Sequence, residues 1–427
     1  MARLDDHPLR YAMANELHAR PFPSMSAPCF AAYVAFKHPN NAVTRDRTAD
    51  VAHLIALLDR HGAPHPQPGA THYYGQIGKY WLKWEQHTEF VTYTAFSDEK
   101  VQRAFDPSSF EIFPSDWLRC APGQRVTSSL LHIIPRPADV KAINSKLSNW
   151  FVSESLAISA VLDDAAIIAG DFRIDPNGHL RFAVFVSPGT GDMRIGRIVQ
   201  RLCEIETYKS MSMLGFARAR DLQPKLNDLD TKLTGLMGAM TRNAEPAERT
   251  LQELLSISAE LETLAATTSF RFGATGAYEA IVNQRIVALR EERYYGRQSF
   301  GEFMMRRYAP AMRTVNSAER RLEAMSGRSI RASNLLRTRV DVERSAQNQS
   351  LLESMDRRAD LQLRLQHTVE GLSVVAISYY AVSLAAYLLY PLTEVFGLSK
   401  GMITAAVTLP VVALVWAMVR RLRHKAQ

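Results

Sequence analysis

Cysteine is scarce in this 427-residue chain: Cys29, Cys120 and Cys203 lie far apart and form no CxxC or other metal-ligand spacing. That excludes a disulfide framework or a cysteine-built metal site, and buried thiols in a reducing compartment are expected. No Walker loop, GxGxxG fingerprint or Ser–His–Asp ordering is present, which removes the signatures of phosphate-loop, dinucleotide and serine-hydrolase chemistry. Pro188-Gly189-Thr190-Gly191 is followed by no GK[ST] and reads as a plain turn. The first residues, Met1 to Pro8, hold early acids and no apolar run, so a secretory signal is not expected. Proline is missing from 312 to 370, and only Gly327 breaks that helix-favouring run.

Hydrophobic residues make up 47% and charged residues 22%, which rules out wholesale disorder and leaves enough chain for two or three domains. The formal charge of +8 suits either nucleic acid or an anionic lipid surface. Two long apolar runs favour lipid. No charge occurs from Gly371 to Thr393 or from Gly401 to Val419, and each run can cross a hydrocarbon core of about 30 Å as a helix. Only Glu394 to Lys400 separates them, so a helical hairpin with a short external link is expected. Arg357, Arg358 and Arg364 precede the pair, and Arg420, Arg421, Arg423 and Lys425 follow it. The positive-inside rule then puts the large N-terminal part and the basic tail in the cytoplasm. Tyr387, Tyr390 and Trp416 suit the interface. The competing reading is a pair of buried helices in a soluble domain.

Within the first run, Ser373, Tyr380 and Tyr387 recur every seven residues, as do Ala376, Ser383 and Tyr390. On a helix they form one small-and-polar stripe, which should face protein or water rather than lipid. Helix–helix packing and a pore lining in an oligomer are the two readings.

Residues 1–190 read as a mixed α/β domain. Leu9 to His18 is helix-like, Phe30 to Phe36 strand-like, and Asp46 to Arg60 helical, with Val51, Leu54, Leu57 and Leu58 on one side. Strands are expected at Tyr80 to Gln86, Phe90 to Phe96, Val126 to Ile134 and Leu156 to Leu162. Ala165 to Ile174 and Leu180 to Val186 flank Asp175-Pro-Asn-Gly as a hairpin. Residues 191–310 read as a helical domain, with turns at Gly273 and Gly276 and at Gly296 and Gly301. Residues 311–370 make a stalk helix rising about 90 Å, which needs partner helices from this chain or from copies of it. The expected order then continues with spans at 371–393 and 401–419, the link at 394–400 and a tail at 420–427.

Nine of the twelve histidines fall in the first 132 residues, so any imidazole chemistry belongs to the front. His61-x3-His65 with His72 has a ligand-like interval but lies among Pro and Gly; no metal is assigned and no cofactor is implied. Two clusters stand out. One contains Glu16, His18 and Arg20. In the other, a strand through Trp84 to Phe90 would put Glu85, His87 and Glu89 on one face and Trp84, Gln86, Thr88 and Phe90 on the other. Carboxylates beside imidazole can bind a cation or relay a proton; an ion-paired sheet surface is the plainer reading. Arg293, Arg297, Arg306 and Arg307 interleave with Tyr294, Tyr295, Phe300 and Phe303, a pattern that can grip nucleic acid but serves an amphipathic helix equally. No nucleic-acid partner is expected beside the membrane runs.

The segments His7 to Pro23, Lys83 to Phe96 and Glu370 to Tyr380 resemble the family known as domain of unknown function 3422, over essentially the whole chain. The resemblance implies a bacterial inner-membrane protein and supplies no catalytic residue. A looser likeness in plan is to CorA-type channels, which are homo-oligomers with the pore along the first span. Their Gly-Met-Asn filter is missing, and Tyr390-Pro391-Leu392 and Gly401-Met402-Ile403 stand instead. The expectation is an α+β cytoplasmic domain, a long-helix region and a C-terminal two-helix transmembrane hairpin. In function it is a homo-oligomeric conduit for an ion with a cytoplasmic sensing domain, or else a membrane-tethered scaffold or sensor for a ligand or protein. A tethered hydrolase using His18, Glu85 and His87 is a third option.

Overall fold

A computed structural model of the chain describes residues 5–11, 13–14, 22–38, 45–99, 103–242, 246–389 and 399–426, with the backbone alone for 422–426. Strands β1 (Cys29–Lys37), β2 (His72–Ile77), β3 (Tyr80–Gln86), β4 (Phe90–Ser97), β5 (Gln124–Pro135), β6 (Ala157–Val161), β7 (Ala166–Gly170), β8 (Leu180–Val186) and β9 (Glu292–Arg293) form one sheet. Their order is β2-β3-β4-β1-β5-β8-β7-β6-β9. Pairing is antiparallel except between β5 and β8. The helices are α1 (Arg47–Arg60), α2 (Ser115–Arg119), α3 (Val140–Trp150), α4 (Asp192–Arg242), α5 (Ala247–Leu289), α6 (Phe300–Arg307), α7 (Ala309–Leu388) and α8 (Lys400–Ala426).

Two compact units result. The first joins Met1–Ala244 to Gln252–Ala332, and the second joins Glu245–Leu251 to Ser333–Gln427. In the first, the sheet is covered on both faces, which is why β1, Cys-Phe-Ala-Ala-Tyr-Val-Ala-Phe-Lys, can be buried at every position. Alternation sorts its residues. Cys29, Ala31, Tyr33 and Ala35 join a core with Ile198, Val199 and Leu202 of α4, Leu261 of α5 and Met312 of α7. Ala32, Val34 and Phe36 join another with Leu54, Leu57 and Leu58 of α1 and Trp117 of α2. Ile143 and Leu147 of α3 cover Ile158, Ile167 and Phe185.

The Asp175-Pro-Asn-Gly hairpin forms as expected. The Asp175 carboxylate accepts from the backbone N–H groups of Asn177 and His179, both at 2.9 Å, and Gly178 takes the positive φ of 86° that the turn needs. Strand β7 ends at Gly170 rather than Ile174, because Phe172 turns the backbone left-handed (φ 52°). The break expected at Gly273 and Gly276 is absent. Helix α5 runs through both, and the mild helix penalty of glycine, about 1 kcal/mol each, does not stop it. The close approach is instead at Gly215 of α4, where a Cβ would stand 2.1 Å from Thr275 Oγ1.

In the second unit, α7 and α8 carry windows of mean hydropathy 1.6 and 2.2, and both helices are long and apolar enough to cross a membrane. Along α7, every residue from 341 to 369 is exposed.

Candidate functional site

The site grows out of the β3–β4 hairpin. Register pairs Lys83 with Thr94 and Glu85 with Thr92, and Tyr33 of β1 pairs with Thr94. Residues opposite each other across antiparallel strands share a face. Tyr33, Lys83, Glu85, Thr92 and Thr94 therefore stand on one side, facing α4. The strand alternation ends at Gln86: His87 N–H donates to Phe90 C=O at 2.8 Å, closing a tight turn over Thr88 and Glu89. This corrects the expected face assignment. His87 and Phe90 are directly opposed and stack at 4.3 Å on the same side, and Glu89 leaves the row.

Between this face and the helices lies a cavity of about 250 Å³. Its polar wall is a chain of alternating charge. Glu85 Oε1 lies 3.3 Å from Lys83 Nζ, and Lys83 donates to Gln200 Oε1 at 2.8 Å. Gln200 Nε2 donates to Glu204 Oε1 at 2.8 Å, and the Arg285 guanidinium of α5 donates to Glu204 Oε2. Phe90 and Tyr208 meet edge-on at 5.9 Å as the aromatic wall. Beneath, the Tyr33 hydroxyl bonds Thr207, and burial holds its phenol well above the ordinary range. Burial likewise pushes the Cys203 thiol up, so it stays a protonated, inert wall atom.

The turn is clamped from both sides. Arg45 donates to the carbonyls of His87 (2.5 Å), Thr88 (3.2 Å) and Phe90 (3.2 Å), and pairs with buried Asp50 at 2.5 Å. Asp50 also accepts from Gln86 at 3.0 Å, yet burial holds its carboxyl above the usual range. Glu89, 1% exposed, accepts from Tyr278 at 2.8 Å and from Arg271. So Glu89 locks the turn to α5 and is not a ligand beside Glu85.

Of the expected polar cluster, then, Glu85 and His87 line the cavity, Glu89 supports it, and Glu16, His18 and Arg20 lie outside the described residues. Lys83, Gln200, Glu204 and Arg285 complete the wall and were not anticipated. Lys83 was readable, two residues before Glu85 on an alternating strand. The helix residues carry no signature. His65 pairs with Asp59 at 2.6 Å and His72 sits on β2. Among the described residues no group of three or more His, Cys, Asp or Glu is placed to hold a metal ion. Arg293 is bonded to Glu302, and Phe300 is buried, so the Arg–aromatic run is built into the fold here.

On α7, Ser373, Ala376, Tyr380 and Tyr387 are exposed, and the Ser383 hydroxyl donates back to Tyr379 C=O at 2.9 Å. Ser383 and Tyr387 also line a cavity of about 260 Å³ with Ile403 and Thr404 of α8. Tyr390 and most of the link lie outside the described residues. Arg357, Arg358, Arg364, Arg420 and Arg421 are exposed, Arg420 lying 5.1 Å from the Trp416 ring. The side chains of Arg423 and Lys425 are outside the description.

The chain belongs to the family described as "Protein of unknown function (DUF3422)", whose model matches residues 5–426. No curated protein and no solved structure matches it.

Proposed function

We propose that the protein is a membrane-tethered receptor whose α+β unit binds a small zwitterionic molecule of the amino-acid class. It would sit in the bacterial inner membrane, anchored by α7 and α8, with the sheet unit and the basic tail on the cytoplasmic side. The observation that carries the reading is the charge chain Glu85–Lys83–Gln200–Glu204–Arg285 along one small cavity. A wall with cations and carboxylates a few ångströms apart complements a ligand carrying both signs, and a half-apolar opposite wall accepts its side chain. About 250 Å³ falls below the range of drug-sized pockets, which suits a single small metabolite. The arginines before the first span and after the second support the orientation.

The test is thermal shift of the full chain in neutral detergent against free amino acids, their amides and their N-acetyl forms. At least one free amino acid should raise the unfolding midpoint, its amide and N-acetyl forms should not, and Arg285→Leu and Glu204→Gln should each remove the shift. A panel with no responder sinks the reading.

A second reading, the homo-oligomeric conduit, draws support from one feature. Helix α7 is exposed at every residue from 341 to 369, and Tyr380 and Tyr387 stand exposed on its uncharged stretch. A helix of that kind takes its stability from partners, and copies of the chain are the simplest ones. Mass in detergent and ion flux in liposomes decide it: an oligomer whose flux Tyr380→Leu and Ser383→Leu abolish supports the conduit, and a monomer without flux ends it.

A further inference from the structure

A second, larger cleft of the first unit has the opposite electrostatic character. It measures about 950 Å³ and opens between the end of β1, the start of β5 and facing turns of α4 and α5. Lys37, Arg125, Lys209, Arg218 and Arg271 line it. Two carboxylates answer these five cations. Glu206, 1% exposed, is 2.6 Å from Lys209 Nζ and also accepts from Ser210 (2.9 Å) and Thr127 (3.2 Å). Glu89 holds Arg271. Among the described residues no carboxylate is paired with Lys37, Arg125 or Arg218.

Lys37 makes the point sharpest. Only 8% of it is exposed, and its ammonium donates to the His38 carbonyl at 2.8 Å rather than to an acid. Burial, and then the neighbouring Arg271, hold its pKa below the ordinary lysine value, and Glu89, already paired with Arg271, offsets only part of this. A desolvated cation facing further cations is unfavourable unless an anion offsets it. The rest of the lining is not charged. Gln124, Ser210 and Thr267 offer hydrogen bonds, and Val126, Met213 and Leu214 offer apolar contact.

We propose that this cleft binds a phosphate-bearing molecule. Its phosphate oxygens are neutralised by Lys37, Arg125, Lys209, Arg218 and Arg271, and its organic part lies against Met213 and Leu214. Phosphate is the anion whose several oxygens use many converging donors at once, and arginine forks match it bidentately. The volume accommodates a nucleotide, and the headgroup of a phospholipid presents the same chemistry. Arg125 and Arg218 line no part of the zwitterion cavity, so the two proposals fail separately.

The experiment is titration calorimetry of the full chain in neutral detergent, without divalent cations, using inorganic pyrophosphate and ATP as one arm. Mixed micelles of phosphatidylglycerol, with phosphatidylcholine as control, are the other. Arg125 and Arg218 are both exposed, so Arg125→Ala/Arg218→Ala keeps the fold, and circular dichroism checks it. Pyrophosphate or ATP should bind, at least tenfold more weakly to the double variant, with Arg218→Lys retaining more affinity than Arg218→Ala. Response to phosphatidylglycerol alone, lost in the double variant, keeps the phosphate chemistry and assigns its source to lipid. No binding in either arm, or binding that the double variant leaves unchanged, overturns the proposal.

Discussion

From Trp81 to Phe96 a single pair of strands lives in two environments. Leu82, Trp84, Val91, Tyr93 and Ala95 point into a dry layer, where Trp117 stacks on His53 at 3.9 Å and meets Tyr93 edge-on at 5.0 Å. Lys83, Glu85, Thr92 and Thr94, one residue along, point into the polar cavity. The backbone is shared, so period-two alternation alone decides which side chains stabilise and which are left to recognise something. On the dry face His53 bonds the Tyr93 hydroxyl at 2.9 Å and the Trp117 carbonyl at 3.1 Å, and the Trp117 indole N–H donates to the His53 carbonyl at 2.9 Å. On the other face charged groups form an open-ended chain that reaches two helices.

The comparison breaks most visibly on the dry side. Trp117→Ala should remove about 3–5 kcal/mol from the first unit, as deletion of a fully buried indole does, and thermal unfolding reads the loss. A loss below about 1 kcal/mol would mean that this face is not the stabilising one. At the seam between the faces, Arg45→Met leaves Asp50 buried without its cation and the turn carbonyls without their donor. About 3 kcal/mol is expected from denaturant unfolding, and Asp50→Asn alongside it should recover part of that. A smaller effect separates the faces by pH. His132, on the dry side beside Phe105 and Trp150, has its pKa lowered to about 4 by burial and then by Lys146. Its folded pKa lies below the unfolded value of about 6.5, so the neutral form is favoured by folding. Stability is full above about pH 6.5 and falls as pH drops toward 4, by about 2 kcal/mol once its partial exposure is allowed for. His132→Phe should flatten that acid slope, and an unchanged slope would place the titration elsewhere. His53 and His179, lowered by burial as well, steepen the same limb.

Much of this fold is readable from residue order alone. The strand-like runs Tyr80 to Gln86 and Phe90 to Phe96 match β3 and β4, and the apolar stripe within Asp46 to Arg60 matches α1. The unbroken run beyond Met312 matches α7. Part of the site is readable for the same reason, because Glu85 belongs to the β3 alternation and His87 follows two residues on, just past the strand end. Glu89 misleads because the hairpin turn ends the period. The rest comes from sequence-distant helices: Gln200 and Glu204 sit four apart beside an apolar stripe, as any solvated pair would, and Arg285 is an ordinary helix arginine. Only tertiary packing brings them to Lys83. Helix α3 also escapes notice, for its single clear signal is the Asp139 cap, which accepts from Lys141 N–H at 2.9 Å.

The most direct measurement is the unfolding midpoint of the Lys83→Met/Glu85→Gln chain, with and without the amino acid that shifts the native protein. Removing both charges together strands neither, so the unliganded variant should stay within about 1 kcal/mol of native stability. Its ligand-induced shift should vanish. A variant that keeps the full shift would show that the cavity beside β3 is not where the ligand binds.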